Sequence, residues 1–229
     1  MATPQEMNQL LTAIRKLLDL PATKQLLKLN SKTCERAYEA YVLSMCVEAV
    51  RRAGGSAELV GIKTGRNPKT IVLRGAPGDM AKDNQDFAYA DCVLRAKRFE
   101  IHVDVEYQGT SGASHEIDVS LCDKAHCDAV RQTGGTPKTT GDKLLMAFEC
   151  KFYDKKPGVS VGRTFVGLVS DCGTLRMAAF VANLESDNLS RYLSKKSRPD
   201  PFLGLVPTDA SSEELFINNV QQQLTKWVA

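Results

Sequence analysis

Two short segments in which apolar and polar residues alternate constrain the fold of this chain more than any other feature. They are residues 115–121 and 147–153, and alternation over such a length is typical of a β-strand. In the second segment Glu149 and Lys151 are two residues apart, so both side chains leave the same face of the strand. In the first segment Asp118 lies between apolar residues and faces the side opposite to them. If the two strands pair, these three side chains converge on one point of the sheet.

Two carboxylates and one ammonium at a single point have a recognisable chemistry. Carboxylate oxygens are ligands for hard divalent cations, and a neighbouring ammonium attracts an anionic substrate. The alternative is an ordinary pair of strands with a Glu–Lys contact at the surface, which contributes little to stability. The local residues alone leave both interpretations open.

Length and composition narrow the class of protein. A chain of 229 residues with 43% hydrophobic and 25% charged residues has the balance of a soluble domain with appended helices. The absence of a long apolar run and of a signal-peptide pattern predicts a cytoplasmic protein without a membrane partner. Seven cysteines without a regular spacing favour free thiols over disulfides. The net charge of +3 permits a phosphate-rich partner but does not require one.

The hydrophobic periodicity predicts helices that alternate with strands and only short connections between most of them. The helices are expected at residues 3–20, 22–29, 31–53, 123–132, 161–171 and 187–195, with a last helix capped by Ser211. The strands are expected at residues 57–63, 70–74, 99–107, 116–121, 146–153, 175–181 and 202–206.

Three further groups of polar residues admit a functional interpretation. Glu35 and Glu39 lie at the edge of the apolar face of helix 31–53, where an unpaired carboxylate is costly to bury, although a solvated flank is the ordinary case. His102 and Asp104 are expected on the exposed face of an antiparallel strand rather than among ligands. The Cys-His-Cys group at 122–127 lacks the second pair of ligands that a zinc site needs, so a short helix is expected there.

The arrangement of Asp118 in one strand, Glu149-x-Lys151 in the next and a Glu on an upstream helix resembles the PD-(D/E)xK nuclease superfamily, also called restriction-endonuclease-like. The family's core order, αβββαβ, is similar to the order predicted for residues 31–182, which is roughly two-thirds of the chain. Two features depart from the family pattern: Ile117 stands where a Pro is common, and about thirty residues separate Asp118 from Glu149, which implies an insertion.

This resemblance implies an α/β fold with a central mixed sheet flanked by helices, in one nuclease-like domain. Residues 1–30 would form a helical appendage, 31–182 the core and 183–229 a C-terminal extension. The implied activity is hydrolysis of phosphodiester bonds, in double-stranded DNA as the first expectation, with Mg²⁺ or Mn²⁺ as cofactor.

The resemblance also implies roles for individual residues. Asp118, Glu149 and Lys151 would be catalytic. The metal would be held by Asp118 and Glu149, helped by Glu39 and the Cys150 carbonyl. Arg163, Lys138 and Lys143 are the candidates for contact with backbone phosphate.

Two other functions remain open from the sequence. The chain could be a catalytically inactive nuclease-fold module that binds nucleic acid or scaffolds a larger complex, and a homodimer is equally compatible with the residues. A hydrolase on an unrelated α/β fold has less support, because the sequence contains neither a Gly-rich phosphate loop nor a Gly-x-Ser-x-Gly motif.

Overall fold

In a computed structural model, which describes residues 3–21, 25–27 and 33–229, the chain adopts an α/β fold around an open mixed sheet. The helices of the described residues are α1 (Pro4–Leu17), α2 (Thr33–Arg52), α3 (Lys124–Thr133), α4 (Val159–Asp171), α5 (Asp187–Leu193) and α6 (Ala210–Val228). The strands are β1 (Gln25–Leu27), β2 (Ser56–Gly61), β3 (Gly65–Arg66), β4 (Thr70–Val72), β5 (Ala88–Leu94), β6 (Lys97–Gln108), β7 (Ser114–Asp123), β8 (Leu144–Lys151), β9 (Met177–Ala182) and β10 (Asp200–Leu203).

The main sheet has eight strands in the order β10-β9-β8-β7-β6-β5-β2-β3. From β3 to β8 every neighbouring pair is antiparallel, whereas β8, β9 and β10 run parallel to one another. The parallel step from β8 to β9 is made through α4, as parallel neighbours require a crossover connection. The expectation of a mixed central sheet with helices is therefore confirmed.

Two hydrophobic cores lie on either side of this sheet. One contains the buried residues of α1, α2 and α6, and the other contains those of α3, α4 and α5. Helix α2 is buried along most of its length, including both Tyr38 and Tyr41, and so it is a core element rather than a surface helix. No helix among the described residues combines the length and apolar character needed to cross a bilayer.

Local sequence signals explain several element ends. Thr3 caps α1 through the predicted capping box, since its hydroxyl accepts from Glu6 N and the Glu6 carboxylate accepts from Thr3 N at 2.7 Å. The last helix begins two residues earlier than predicted: Asp209, not Ser211, is its cap, because the Asp209 carboxylate accepts from two backbone N–H groups.

One predicted helix is wrong where it can be compared. Residues 25–27 of the expected helix 22–29 form strand β1, which pairs in parallel with β4. The apolar run of this segment satisfies a short strand as well as a helix, and pairing with a distant strand decides between them. The remaining residues of that predicted helix, and the predicted helix start at Ser31, lie outside the described residues.

Candidate metal centre

The candidate site lies where β7 and β8 separate. Their antiparallel ladder ends at the pair Val119–Phe148, so Asp118 and Glu149, the next residues of the two strands, lie beyond its last pair. Instead the Asp118 Oδ2 atom accepts a hydrogen bond of 2.7 Å from Cys150 N. The carboxylate thereby takes the place of a backbone acceptor for this N–H group, which fixes its position where the pairing of β7 and β8 ends.

Lys151 joins the two predicted carboxylates. Its Nζ atom lies 2.8 Å from Asp118 Oδ2 and 2.8 Å from Glu149 Oε1. Because both oxygens contact one nitrogen, the three side chains meet at one point as predicted, although Ile117 and Val119 pack in opposite cores and strict alternation is broken at Asp118. Burial lowers the pKa of Lys151, but the charges of Asp118 and Glu149 outweigh it and raise that pKa well above its usual range. The ammonium is therefore permanently charged.

Asp104 enters the site through a bend in β6. Val103 and Val105 have the same parity in the strand, yet Val103 packs in the core with α2 and Val105 packs in the opposite core. The residue between them, Asp104, has a φ of 49°. Asp is among the few residues other than Gly that adopt this left-handed conformation readily. The bend directs the Asp104 side chain toward Asp118, the residue opposite it in the β6–β7 register.

A third carboxylate comes from α2. One oxygen each of Glu39, Asp104 and Asp118 lie within 4.8 Å of one another. The Glu39 Oε2 atom is buried and has no hydrogen-bond partner among the described residues. Glu35, one turn earlier on the helix, is exposed. The structure thus places Glu39, rather than Glu35, beside Asp118.

The carboxylates repel one another because few cations balance them. Burial, followed by the charges of Asp104 and Asp118, raises the pKa of Glu39 to about 10. Burial and the charge of Asp118 raise the pKa of Asp104 to about 7 and that of Glu149 to about 7. Burial and Asp118 also raise the pKa of Glu116. A bound divalent cation would remove this repulsion and would give the free Glu39 oxygen a partner. The residues present therefore fit a hard divalent ion.

The structure does not group the predicted metal ligands as the sequence analysis did. Glu149 is held by Lys151 and is not part of the carboxylate trio. Cys150 contributes its backbone N–H to Asp118, while its side chain lies in the hydrophobic core with α2. Contact of the Cys150 carbonyl with a metal remains a prediction. Asp104 takes the place in the trio that the sequence assigned to Glu149.

The prediction that His102 and Asp104 lie on an exposed strand face is wrong. Their side chains are buried, with relative exposures of 5% and 4%. Strand β6 lies inside the sheet, and helices cover both of its faces, so the half-exposed pattern of an antiparallel strand does not apply. The signal available in the sequence was the repeat Glu100-x-His102-x-Asp104, which becomes informative only once β6 is known to be central.

Glu100 and His102 form a second polar cluster with Cys127, again with atoms within 4.8 Å. The fully buried Glu100 carboxylate already accepts from Arg131 Nη1 at 2.8 Å and from Lys124 Nζ at 2.9 Å. Two cations therefore neutralise it, which disfavours a metal ion at that position. This cluster fastens α3 onto β6.

The predicted phosphate contacts are dispersed. Lys143 precedes β8 and is six residues from Glu149, which corresponds to roughly 20 Å along a strand. Lys138 is exposed and lies beside Gln108 at the end of β6. Arg163 is exposed on α4, with its guanidinium 5.9 Å from the Tyr192 ring. The structure does not bring Lys143 to the carboxylates, and contact of all three with nucleic acid remains a prediction.

Comparisons of the chain with protein-family models, curated proteins and solved structures find no match. The resemblance to PD-(D/E)xK nucleases therefore depends on the residues and the element order of this chain, without support from a related protein.

Proposed function

We propose that this chain is a divalent-metal-dependent nuclease that hydrolyses phosphodiester bonds, with DNA as its substrate. The observation that carries the proposal is the buried trio of Glu39, Asp104 and Asp118 within 4.8 Å, set against an ammonium that contacts Asp118. The restriction-endonuclease-like core belongs to this proposal. It is supported by the succession α2, β6, β7, β8, α4, β9, in which β2–β5 are inserted after α2 and α3 after β7, and by the parallel pairing of β8 with β9.

Glu39, Asp104 and Asp118 would hold a Mg²⁺ or Mn²⁺ ion. When bound, such an ion supplies Lewis acidity toward the phosphodiester and favours an ionised water nucleophile. The protein fixes the donor oxygens beforehand: Asp118 through Cys150 N, Asp104 through the bend in β6, and Glu39 through the packing of α2.

Lys151 would stabilise the negative charge that develops on the phosphate. Its side chain is 30% exposed, so the ammonium is open to a ligand although it contacts two carboxylates. Glu149 accepts from the same nitrogen and holds the ammonium beside Asp118. A compact point charge suits this position, and the planar guanidinium of Arg would not reproduce it.

The test is a cleavage assay on plasmid and linear DNA with Mg²⁺, Mn²⁺ or EDTA. We expect cleavage that requires the metal and falls by at least about 10²-fold in Asp104→Asn, because a charged ligand disappears. Asn also tolerates the left-handed conformation of residue 104, so the bend in β6 is kept. Glu39→Gln should behave like Asp104→Asn.

Glu48→Gln is the matched control on the same helix, since Glu48 pairs with Arg52 away from the carboxylate trio. It should keep full activity. Cleavage that persists in EDTA, or that is unchanged in Asp104→Asn, would contradict the proposal. A wild-type protein that binds DNA but never cleaves it would favour the inactive binding module instead.

A further inference from the structure

A basic cavity lies beside the start of α2, the helix that carries Glu39. It has a volume of about 250 Å³ and lies between the start of α2 and residues 72–87. Among the described residues that line it, Arg36, Arg74 and Lys82 are basic and none is acidic. The cavity therefore suits an anion.

The walls of this cavity belong to, or are bonded to, the same elements that carry residues of the carboxylate trio. Arg36 precedes Glu39 by three residues on α2, so the two side chains lie one turn apart, with Cβ atoms ~5–6 Å from each other. On the opposite wall of the cavity, Gly78 forms an isolated parallel β-bridge with Val105, the residue after Asp104. The Gly78 carbonyl accepts a hydrogen bond of 3.1 Å from Glu106 N. Both walls are thus anchored to elements that carry metal-ligand candidates.

Arg36 is partly buried but has no polar partner in the part of the chain that the structure describes. It forms no hydrogen bond or ion pair with the described residues. Its positive charge nevertheless lies close enough to Asp104 to lower the pKa of that carboxyl group, against the increase that burial and Asp118 cause. Its guanidinium rests against Gly75, where an added Cβ would lie 2.6 Å from Arg36 Cζ. The side chain is therefore held in place by packing while its donors remain available.

Arg74 has a different role in the same cavity. It is buried, its Nη2 donates to the Met80 carbonyl at 3.1 Å, and its guanidinium lies 4.3 Å from the centre of the Phe87 ring. These contacts hold the wall of the cavity in shape. Lys82 lies at the exposed rim, so Arg36 and Lys82 are the side chains free to meet a ligand.

We propose that Arg36 binds a backbone phosphate of the nucleic acid next to the phosphate that is cleaved, with Lys82 at the rim of the same subsite. This proposal rests on the proposed nuclease function. The planar fork of Arg donates two parallel hydrogen bonds to phosphate oxygens, which adds orientation as well as affinity. Arg36 is a positioning residue, because it holds the strand rather than the reacting atoms.

The experiment compares Arg36→Gln with wild type by steady-state kinetics on a labelled DNA duplex at several salt concentrations. We expect KM to rise about tenfold while kcat stays nearly constant, because the contact is the same in the ground state and the transition state. The slope of log(kcat/KM) against log salt should become shallower by about 0.7–0.9, the effect of one lost phosphate contact. Affinity for Mn²⁺ by calorimetry should not change.

Two further variants test whether Arg36 itself binds the phosphate. Gly75→Ala should raise KM in the same way, because the new methyl group displaces the flexible end of Arg36 and leaves the backbone unstrained. Arg98→Gln is the matched control: Arg98 is exposed near the other end of β6, where it pairs weakly with Asp91 at 3.4 Å. It should keep the wild-type KM and salt slope.

An Arg36→Gln protein with the KM and salt slope of Arg98→Gln would overturn the subsite while leaving the nuclease proposal intact. Loss of Mn²⁺ affinity together with activity would also overturn it, since Arg36 would then act through the carboxylates. A wild type that neither binds Mn²⁺ nor cleaves DNA would refute the nuclease function and the subsite with it.

Discussion

Replacing Glu39 by Gln should stabilise the metal-free protein. Glu39 is a buried carboxyl group whose Oε2 has no hydrogen-bond partner within residues 3–21, 25–27 and 33–229, and its pKa is raised from 4.5 to about 10 by burial and then by Asp104 and Asp118. The folded protein therefore binds a proton at this group more tightly than the unfolded chain does. It follows that the free energy of unfolding decreases as the pH rises above about 4.5. This decrease continues until the pH reaches the pKa of Glu39 in the folded protein.

The size of the effect follows from this shift. One pKa unit corresponds to about 1.4 kcal/mol, so the interval from the ordinary pKa to pH 7 amounts to about 3 kcal/mol. Gln carries no charge in either state and avoids this cost. In a chain of 229 residues a gain of this size raises the Tm by roughly 5–10 °C.

Thermal and urea unfolding in EDTA measure the difference between wild type and Glu39→Gln across a range of pH. The advantage of the variant should be small near about pH 5 and should grow steadily toward about pH 8. Mn²⁺ at a hundredfold excess over Kd should cancel the advantage of the variant near pH 7, because only the wild type gains the free energy of ion binding, which is about 3 kcal/mol at that excess. Glu48→Gln should stay within about 0.5 kcal/mol of wild type throughout.

A Glu39→Gln protein that is no more stable than wild type in EDTA would refute this reasoning. So would a difference in stability that does not change with pH, since it would show that Glu39 is not the group whose proton affinity changes on folding.

Three other variants test the site and its support. Lys151→Met should keep Mn²⁺ affinity in calorimetry but lose about 10²–10³-fold in cleavage rate, because one positioned charge is removed; equal loss of both would contradict this. Asp118→Asn should lose Mn²⁺ affinity and cleavage together, and a variant that still cleaves DNA would remove Asp118 from the mechanism. Arg131→Met should lower the free energy of unfolding by about 3–5 kcal/mol, because the buried Glu100 loses its main partner, whereas Arg98→Met should change it by less than about 0.5 kcal/mol. Urea unfolding decides this last case, and equal effects of the two variants would contradict it.

Local sequence patterns determined several features of this protein's structure. Alternation places Glu149 and Lys151 on one face of a strand, and the structure brings both to Asp118 as the sequence predicts. The capping box at Thr3 likewise needs only neighbours in sequence. These features could be predicted because the period of a strand and the first turn of a helix are set within a few residues.

Only the tertiary structure decided the composition of the carboxylate trio. Asp104 has the sequence context of an exposed strand residue, and it becomes a ligand candidate because β6 is central in the sheet and bends at a φ of 49°. Glu39 and Arg36 become candidates for their proposed roles because α2 packs against the sheet and places Glu39 beside Asp104 and Asp118. Contacts between residues so far apart in sequence depend on strand order and on the packing of whole elements, neither of which is encoded in local periodicity.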